Sequence, residues 1–191
     1  KTLFETEMRN IPLFGFGIKS FMLSMIETAI NISGGQIDAF SVEKILQIGR
    51  TMLESEVKLL PHVKETLQNL SESQYRMMVI TMGDLLDQNS KLERSGLAPY
   101  FSLVEVVSEK STETYRAILS QHDLVPQSVV MVGNSLRSDI LPMLELGAKA
   151  VHIPAGTTWA HDKVHDFVPP ENGFFELQDI EQLPALLATF T

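Results

Sequence analysis

The chain has 191 residues, a formal net charge of −9 and no cysteine. That length suits one domain, or one domain with a small appendage; the acidity argues against a nucleic-acid backbone or an anionic membrane as the main partner. The missing thiols exclude a disulfide scaffold, a zinc–thiolate site and a cysteine nucleophile, and they fit a reducing cytoplasm.

Residues 1–58 carry helical periodicity throughout. Leu3, Phe4 and Met8 share one face, and Phe21, Met22, Met25, Ile26 and Ala29 form an apolar stripe expected to pack as ordinary core. The segment Asn31-Ile-Ser-Gly-Gly35 breaks the pattern. Ser41 is a candidate N-cap for a further helix carrying Val42, Ile45, Leu46, Ile48 and Met52. From Leu59 the pattern changes. Pro61 suits the first turn of a helix running to Leu70. Strands are then expected at Arg76–Thr81, Leu103–Val107, Val129–Val132 and Val151–Ile153. Between them lie an amphipathic helix from Leu85 to Ser95, stopped by Gly96, and a helix opened by Ser111 or Thr112 and running to about His122. A further helix runs to Gly147, and a short amphipathic one spans Ile180–Ala188. Apolar strands alternating with helices predict an α/β fold, a doubly wound parallel sheet covered on both faces. No apolar run is long enough to span a bilayer.

Three polar residues follow successive strands at their carboxyl ends, the rim where open α/β sheets bind ligands. Thr81 ends Met77-Met-Val-Ile-Thr81, Lys110 follows Val104-Glu-Val-Val-Ser-Glu-Lys110, and Asp139 lies in the polar loop after Val129-Val-Met-Val-Gly133. A hydroxyl with nearby backbone N–H groups can hold phosphate oxygens, an ammonium can offset developing charge, and a carboxylate can hold a hard cation such as Mg²⁺. Each residue also has a plainer role open to it. Thr81 suits a strand by its β-branch, Lys110 suits a solvated surface, and Asp139 suits a helix N-cap. Gly83 would let the backbone approach a phosphate, and Asp84 suits the cap of the helix that follows. His152 in its strand reads as a packed core residue. His161 and His165 are spaced to share a helix face, as in some metal sites, but their surroundings are polar and no third ligand is evident.

With these motifs in order, the chain resembles the haloacid dehalogenase-like hydrolase superfamily, most of whose members are phosphatases. Thr81 is similar to its second motif, Lys110 to its third, and Gly133-Asn-Ser-Leu-Arg-Ser-Asp139 to its acidic fourth. The stretch from Thr81-Met-Gly-Asp-Leu-Leu-Asp-Gln88 through Lys91, Ser95-Gly-Leu97 and Phe101 resembles the segment after motif two. The match covers residues 59 to about 155, and residues 1–58 look like the family's small helical cap. The resemblance implies a cap at 1–58 and a core at 59–191, with Mg²⁺ as cofactor and a small phosphorylated metabolite as partner. It implies that Thr81, Met82, Gly83 and Lys110 bind phosphate, with Thr81 and Lys110 in the catalytic set. Asp139 and Asn134 would hold the metal. The family's nucleophile and general acid/base are aspartates of a first motif that precedes the cap and forms an aspartyl-phosphate.

Two departures stand out. Asn134 occupies a place where the family usually has an aspartate, which removes one negative charge while leaving an oxygen ligand. The first motif is absent, since no aspartate precedes Asp38. By the resemblance its strand is also the central one of the sheet, so an upstream segment of about twenty residues is expected, a strand with a turn and a helix start. Two other classes stay open: a non-catalytic binding or regulatory module on the same fold, and a phospho-receiver domain. The order Thr, Lys, Asp and the leading helical region speak against the receiver.

Overall fold

A computed structural model describes residues 2–73, 75–155 and 167–190. The chain divides into two compact units, each discontinuous in sequence: Lys1–Lys58 with Met78–Glu109, and Leu59–Met77 with Lys110–Thr191.

The first unit opens with three helices, α1 (Thr2–Phe14), α2 (Ile18–Ile32) and α3 (Ala39–Glu54). Asp38 caps α3 by accepting the Ser41 N–H at 2.8 Å. The expected cap, Ser41, thus sits one turn inside, because the chain turns helical as soon as a side-chain acceptor is available. The apolar stripe of α2 is only half-buried, and the tight seam is polar instead. Thr6 and Asn10 of α1, and Ser20, Ser24 and Thr28 of α2, are buried at spacings of four. Asn10 bridges the seam, donating to Ser24 Oγ at 3.2 Å and Glu27 Oε2 at 2.8 Å. Small residues allow the close approach; Asn10 supplies hydrogen bonds to Ser24 and Glu27, while the buried hydroxyls of Ser20 and Thr28 have no partner among the described residues. Met22 faces the other way and fills the space over Gly49 of α3, where any Cβ would overlap its sulfur.

The same unit holds β1 (Met78–Met82), α5 (Leu85–Arg94) and β2 (Leu103–Val107). The two strands pair in parallel from Met78↔Leu103 to Met82↔Val107. Arg94, in the last turn of α5, donates to the Ser55 carbonyl at 2.6 Å and the Leu53 carbonyl at 3.0 Å. Those carbonyls end α3 without helical partners, so the guanidinium both satisfies them and fastens the helical segment to α5.

The second unit contains α4 (Val63–Ser71), α6 (Thr112–Gln121), β3 (Val130–Gly133), α7 (Leu141–Glu145), β4 (Lys149–His152), β5 (Phe174–Glu176) and α8 (Leu183–Leu187). Its strands form a parallel sheet in the order β3-β4-β5. The central strand is the most buried, with Ala150 and Val151 fully enclosed, as expected where a strand is covered on both faces. Leu70, Val151, Leu183 and Leu187 make the core beneath it. The strand β5 was not expected from sequence, since three residues fall below the run length that periodicity resolves. The tail helix is also shorter than expected, with tighter 3₁₀ turns on either side of α8. Among the described residues, no helix is long and apolar enough to cross a membrane. His161 and His165 lie outside the described residues.

His62 introduces α4 in the left-handed region, φ 60°, a conformation that strains a residue with a Cβ. Its Nδ1 pairs with Asp179 Oδ1 at 2.9 Å, with Glu181 Oε2 at 3.7 Å. These three form a group close enough to share a cation, but the His–Asp pair and the helix cap made by Asp179 account for the arrangement without one. The Asp179 hydrogen bond, then its charge, raise His62 above its ordinary 6.5. The Glu181 backbone N–H, then His62, hold Asp179 below its ordinary 3.8. A raised histidine stabilises fully below 6.5 and loses that contribution as pH climbs through its folded-state value; a lowered aspartate loses its contribution as pH falls below 3.8. His62→Asn keeps a residue that tolerates φ > 0 and removes the charge. We expect it to unfold at lower urea than the parent near pH ~5.5 and to match the parent near pH ~9. A gap that does not change with pH would show that the pair adds nothing.

Candidate active site

In the first unit the chain leaves β1 through Thr81, Met82 and Gly83. The Gly83 N–H donates to the Val107 carbonyl at 3.2 Å, adding a rung to the ladder and fixing the turn against the end of β2. Gly83 sits at φ 147°, and a Cβ there would press on the Gln88 amide at 2.9 Å. Gln88, from the first turn of α5, folds back across this glycine and accepts the Thr81 hydroxyl at 2.7 Å. Asp84 caps α5 by accepting the Asp87 N–H, as expected from sequence. It also accepts from Lys19 Nζ of α2 at 2.9 Å. That bond, ahead of the cap, holds the Asp84 carboxyl below the usual carboxylate range.

In the second unit Lys110 stands just before Ser111, which caps α6 by accepting the Thr114 N–H. Its ammonium reaches Asp139 Oδ1 at 2.7 Å, with 17% of the lysine side chain and 7% of the aspartate exposed. The other carboxylate oxygen, Oδ2, accepts the Ser135 N–H at 3.0 Å. Asp139 is therefore not a helix cap. Ser135 takes that role, accepting from Ser138 N–H at 3.0 Å, and a widened π-helical turn, Leu136–Ile140, follows. In that turn the N–H groups of both Asp139 and Ile140 converge on the Ser135 carbonyl. The turn swings Asp139 back over Gly133, whose bare Cα receives the carboxyl; any Cβ would overlap it.

The structure brings Lys110 and Asp139 into contact and places Thr81, Met82 and Gly83 together at the end of β1. Asn134 lies exposed in the same loop as Asp139. Three further residues support these groups. Gln88 binds Thr81. His152, buried at the end of β4, has Nε2 at 3.1 Å from the Asn134 carbonyl and Nδ1 at 2.9 Å from Glu176 Oε2. Tyr115 of α6 donates to the Ser138 carbonyl at 2.9 Å. His152 is packed in the core as its strand position suggests, whereas Gln88 and Tyr115 carry no local mark of these contacts.

The donors around Asp139 suit Mg²⁺. Asp139 offers carboxylate oxygens and Asn134, exposed in the same loop, an amide oxygen, with no thiolate in the chain, and oxygen donors are the hard set that this ion takes. A carboxylate offers about four lone-pair sites, so the two used by Lys110 and Ser135 leave room for a cation.

Comparison with known proteins agrees with this geometry. The profile of the family described as haloacid dehalogenase-like hydrolase matches residues 17–153. The chain belongs to that family. A solved haloacid dehalogenase-like family hydrolase from Xanthomonas campestris is 37% identical, with a TM-score of 0.84 over 98% of this chain and 75% of that one. A ribulose-1,5-bisphosphate 5-phosphatase of Halopiger xanaduensis is 33% identical over 101 residues, 50% of this chain and 42% of that protein. A glyceraldehyde 3-phosphate phosphatase of Methanothermobacter thermautotrophicus is 32% identical over 134 residues, 66% of this chain and 58% of that protein. The chain thus spans about half the length of the curated relatives it matches.

Gly133→Ala tests the close approach. We expect a loss of about 1–3 kcal/mol from forced displacement of the Asp139 side chain, measured by urea unfolding. Unaltered stability would mean that the loop relaxes freely and the contact is incidental.

Proposed function

We propose that this chain forms most of a Mg²⁺-dependent phosphatase acting on a small phosphomonoester, with residues 1–58 as cap and 59–191 as core. The observation that carries this is the Lys110–Asp139 pair, enclosed and hydrogen-bonded on a loop of otherwise uncharged acceptors. The curated relatives are named for two phosphorylated sugars, ribulose bisphosphate and glyceraldehyde 3-phosphate, and a substrate of that class is proposed here. A cytoplasmic location accompanies it, supported by the absence of cysteine.

Lys110 has three N–H donors, of which Asp139 takes one. The remaining two bind a phosphoryl oxygen and steady the nucleophile. Thr81 turns its proton from Gln88 to a second phosphoryl oxygen. Gly83, having committed its N–H to Val107, contributes by letting Gln88 lie across the turn and reach Thr81 beside the phosphate. Asp139, with Asn134 beside it, holds Mg²⁺, which when bound draws negative charge off the phosphoryl group. The nucleophile is an aspartate of the family's first motif, which none of these residues supplies; in the full-length enzyme it attacks phosphorus as the P–O bond to the leaving alcohol breaks, and the motif's second aspartate protonates that oxygen and then activates the water that hydrolyses the aspartyl-phosphate to phosphate. The cap excludes water and selects small substrates.

In the full-length protein, Asp139→Asn and Lys110→Ala should each lower kcat/KM for a phosphomonoester by about a hundredfold or more. Wild-type turnover in Asp139→Asn would sink the assignment. Binding of vanadate without turnover by the parent would instead point to a binding module that has kept the fold.

A further inference from the structure

The loop that carries Asp139 is held at a second point. Tyr115 is the largest fully buried side chain among the described residues, 1% exposed, and lies one turn into α6. Its hydroxyl ends at the carbonyl of Ser138, the residue just before Asp139. The donor four residues on from that carbonyl is missing for a reason written in the sequence. In an ordinary helix it would accept the N–H four residues on, and that residue is Pro142, which has none. Burial first, then the Asp139 charge and a hydrogen bond with its side chain, push the phenol above the tyrosine range. One short segment of chain, Lys110 to Tyr115, therefore grips two adjacent residues of the π-helical turn: the Asp139 carboxylate through Lys110 and the Ser138 carbonyl through Tyr115.

We propose that Tyr115 is a positioning residue for the cation site: its hydroxyl fixes the backbone at Ser138 so that the Asp139 carboxylate stays between Lys110 and the Ser135 N–H with its remaining lone pairs turned to Mg²⁺. The proposal rests on the metal-binding assignment of Asp139. Lys110 holds the carboxylate at one oxygen, and the phenol holds the loop backbone beside it to α6. Tyr115 touches neither substrate nor metal and acts only through Asp139.

The test is Tyr115→Phe in the full-length protein, which removes one oxygen and leaves the ring packed. Mg²⁺ alone is titrated by calorimetry, with thermal unfolding and steady-state kinetics alongside and Asp139→Asn as the control. We expect the Mg²⁺ Kd to rise about five- to tenfold, the share of one buried hydrogen bond, with kcat at saturating Mg²⁺ within about twofold of the parent. A role confined to packing would lower the unfolding temperature and leave the Mg²⁺ Kd where it was, and that result overturns the proposal. If Asp139→Asn weakens Mg²⁺ binding and Tyr115→Phe does not, the inference about Tyr115 alone fails. If neither does, the metal assignment fails with it.

Discussion

The contact between the Lys110 ammonium and the Asp139 carboxylate is the interaction on which the rest of the candidate site turns. Two charges so enclosed lose most of their hydration, and their attraction repays that loss only when the remaining lone pairs and protons are also used. The surrounding structure meets that condition piece by piece. The Ser135 N–H takes one carboxylate oxygen, Gly133 leaves out the methylene that would push the carboxyl away, and the widened turn aims Asp139 back toward its own strand. Removing either charge would leave the other buried alone, an arrangement that costs about 3–5 kcal/mol.

The end of β1 follows a different principle. There a neutral hydroxyl is held by a neutral amide, and the charges stand one residue further on, where Asp84 serves both a helix cap and a lysine of α2. A neutral hydrogen bond is worth less than a charged one and exchanges partners more readily. Thr81 can therefore pass its proton from Gln88 to an incoming anion at little penalty, while the Lys110–Asp139 pair stays put. The chain is acidic as a whole, but a local ammonium and a hard cation can outweigh that field for a phosphorylated ligand.

How much of this could be read from the sequence depended on the range of the interaction. The strand Leu103–Val107 has the bounds its apolar run suggests, Lys110 and Asp139 follow β2 and β3 along the chain, and Thr81 sits one residue inside the end of β1. The Asp84 cap is a contact with Asp87, three residues away, so local chemistry reveals it. His62 and Asp179 lie 117 positions apart and carry no local mark of their pairing. The helical region misleads for another reason. Periodicity finds two faces on α2, one apolar and one of Ser20, Ser24 and Thr28, but not which turns inward; the answer lies with Asn10 on α1. The support given by Tyr115 and His152 to the acidic loop likewise appears only once distant segments are folded together.

Arg94 has a consequence for how this chain is made. By gripping the carbonyls of Leu53 and Ser55, it ties a helix near the start of the chain to one that follows β1. The first unit therefore interrupts the second: residues 59–77 must wait, unpartnered, until residues from 110 onward have been synthesised. Neither unit is a contiguous stretch that a ribosome could release folded and finished. A cut at residue 58, which looks from sequence like a natural border, would part the α3 carbonyls from their guanidinium and divide the first unit between two fragments, while the second unit stays whole in one of them.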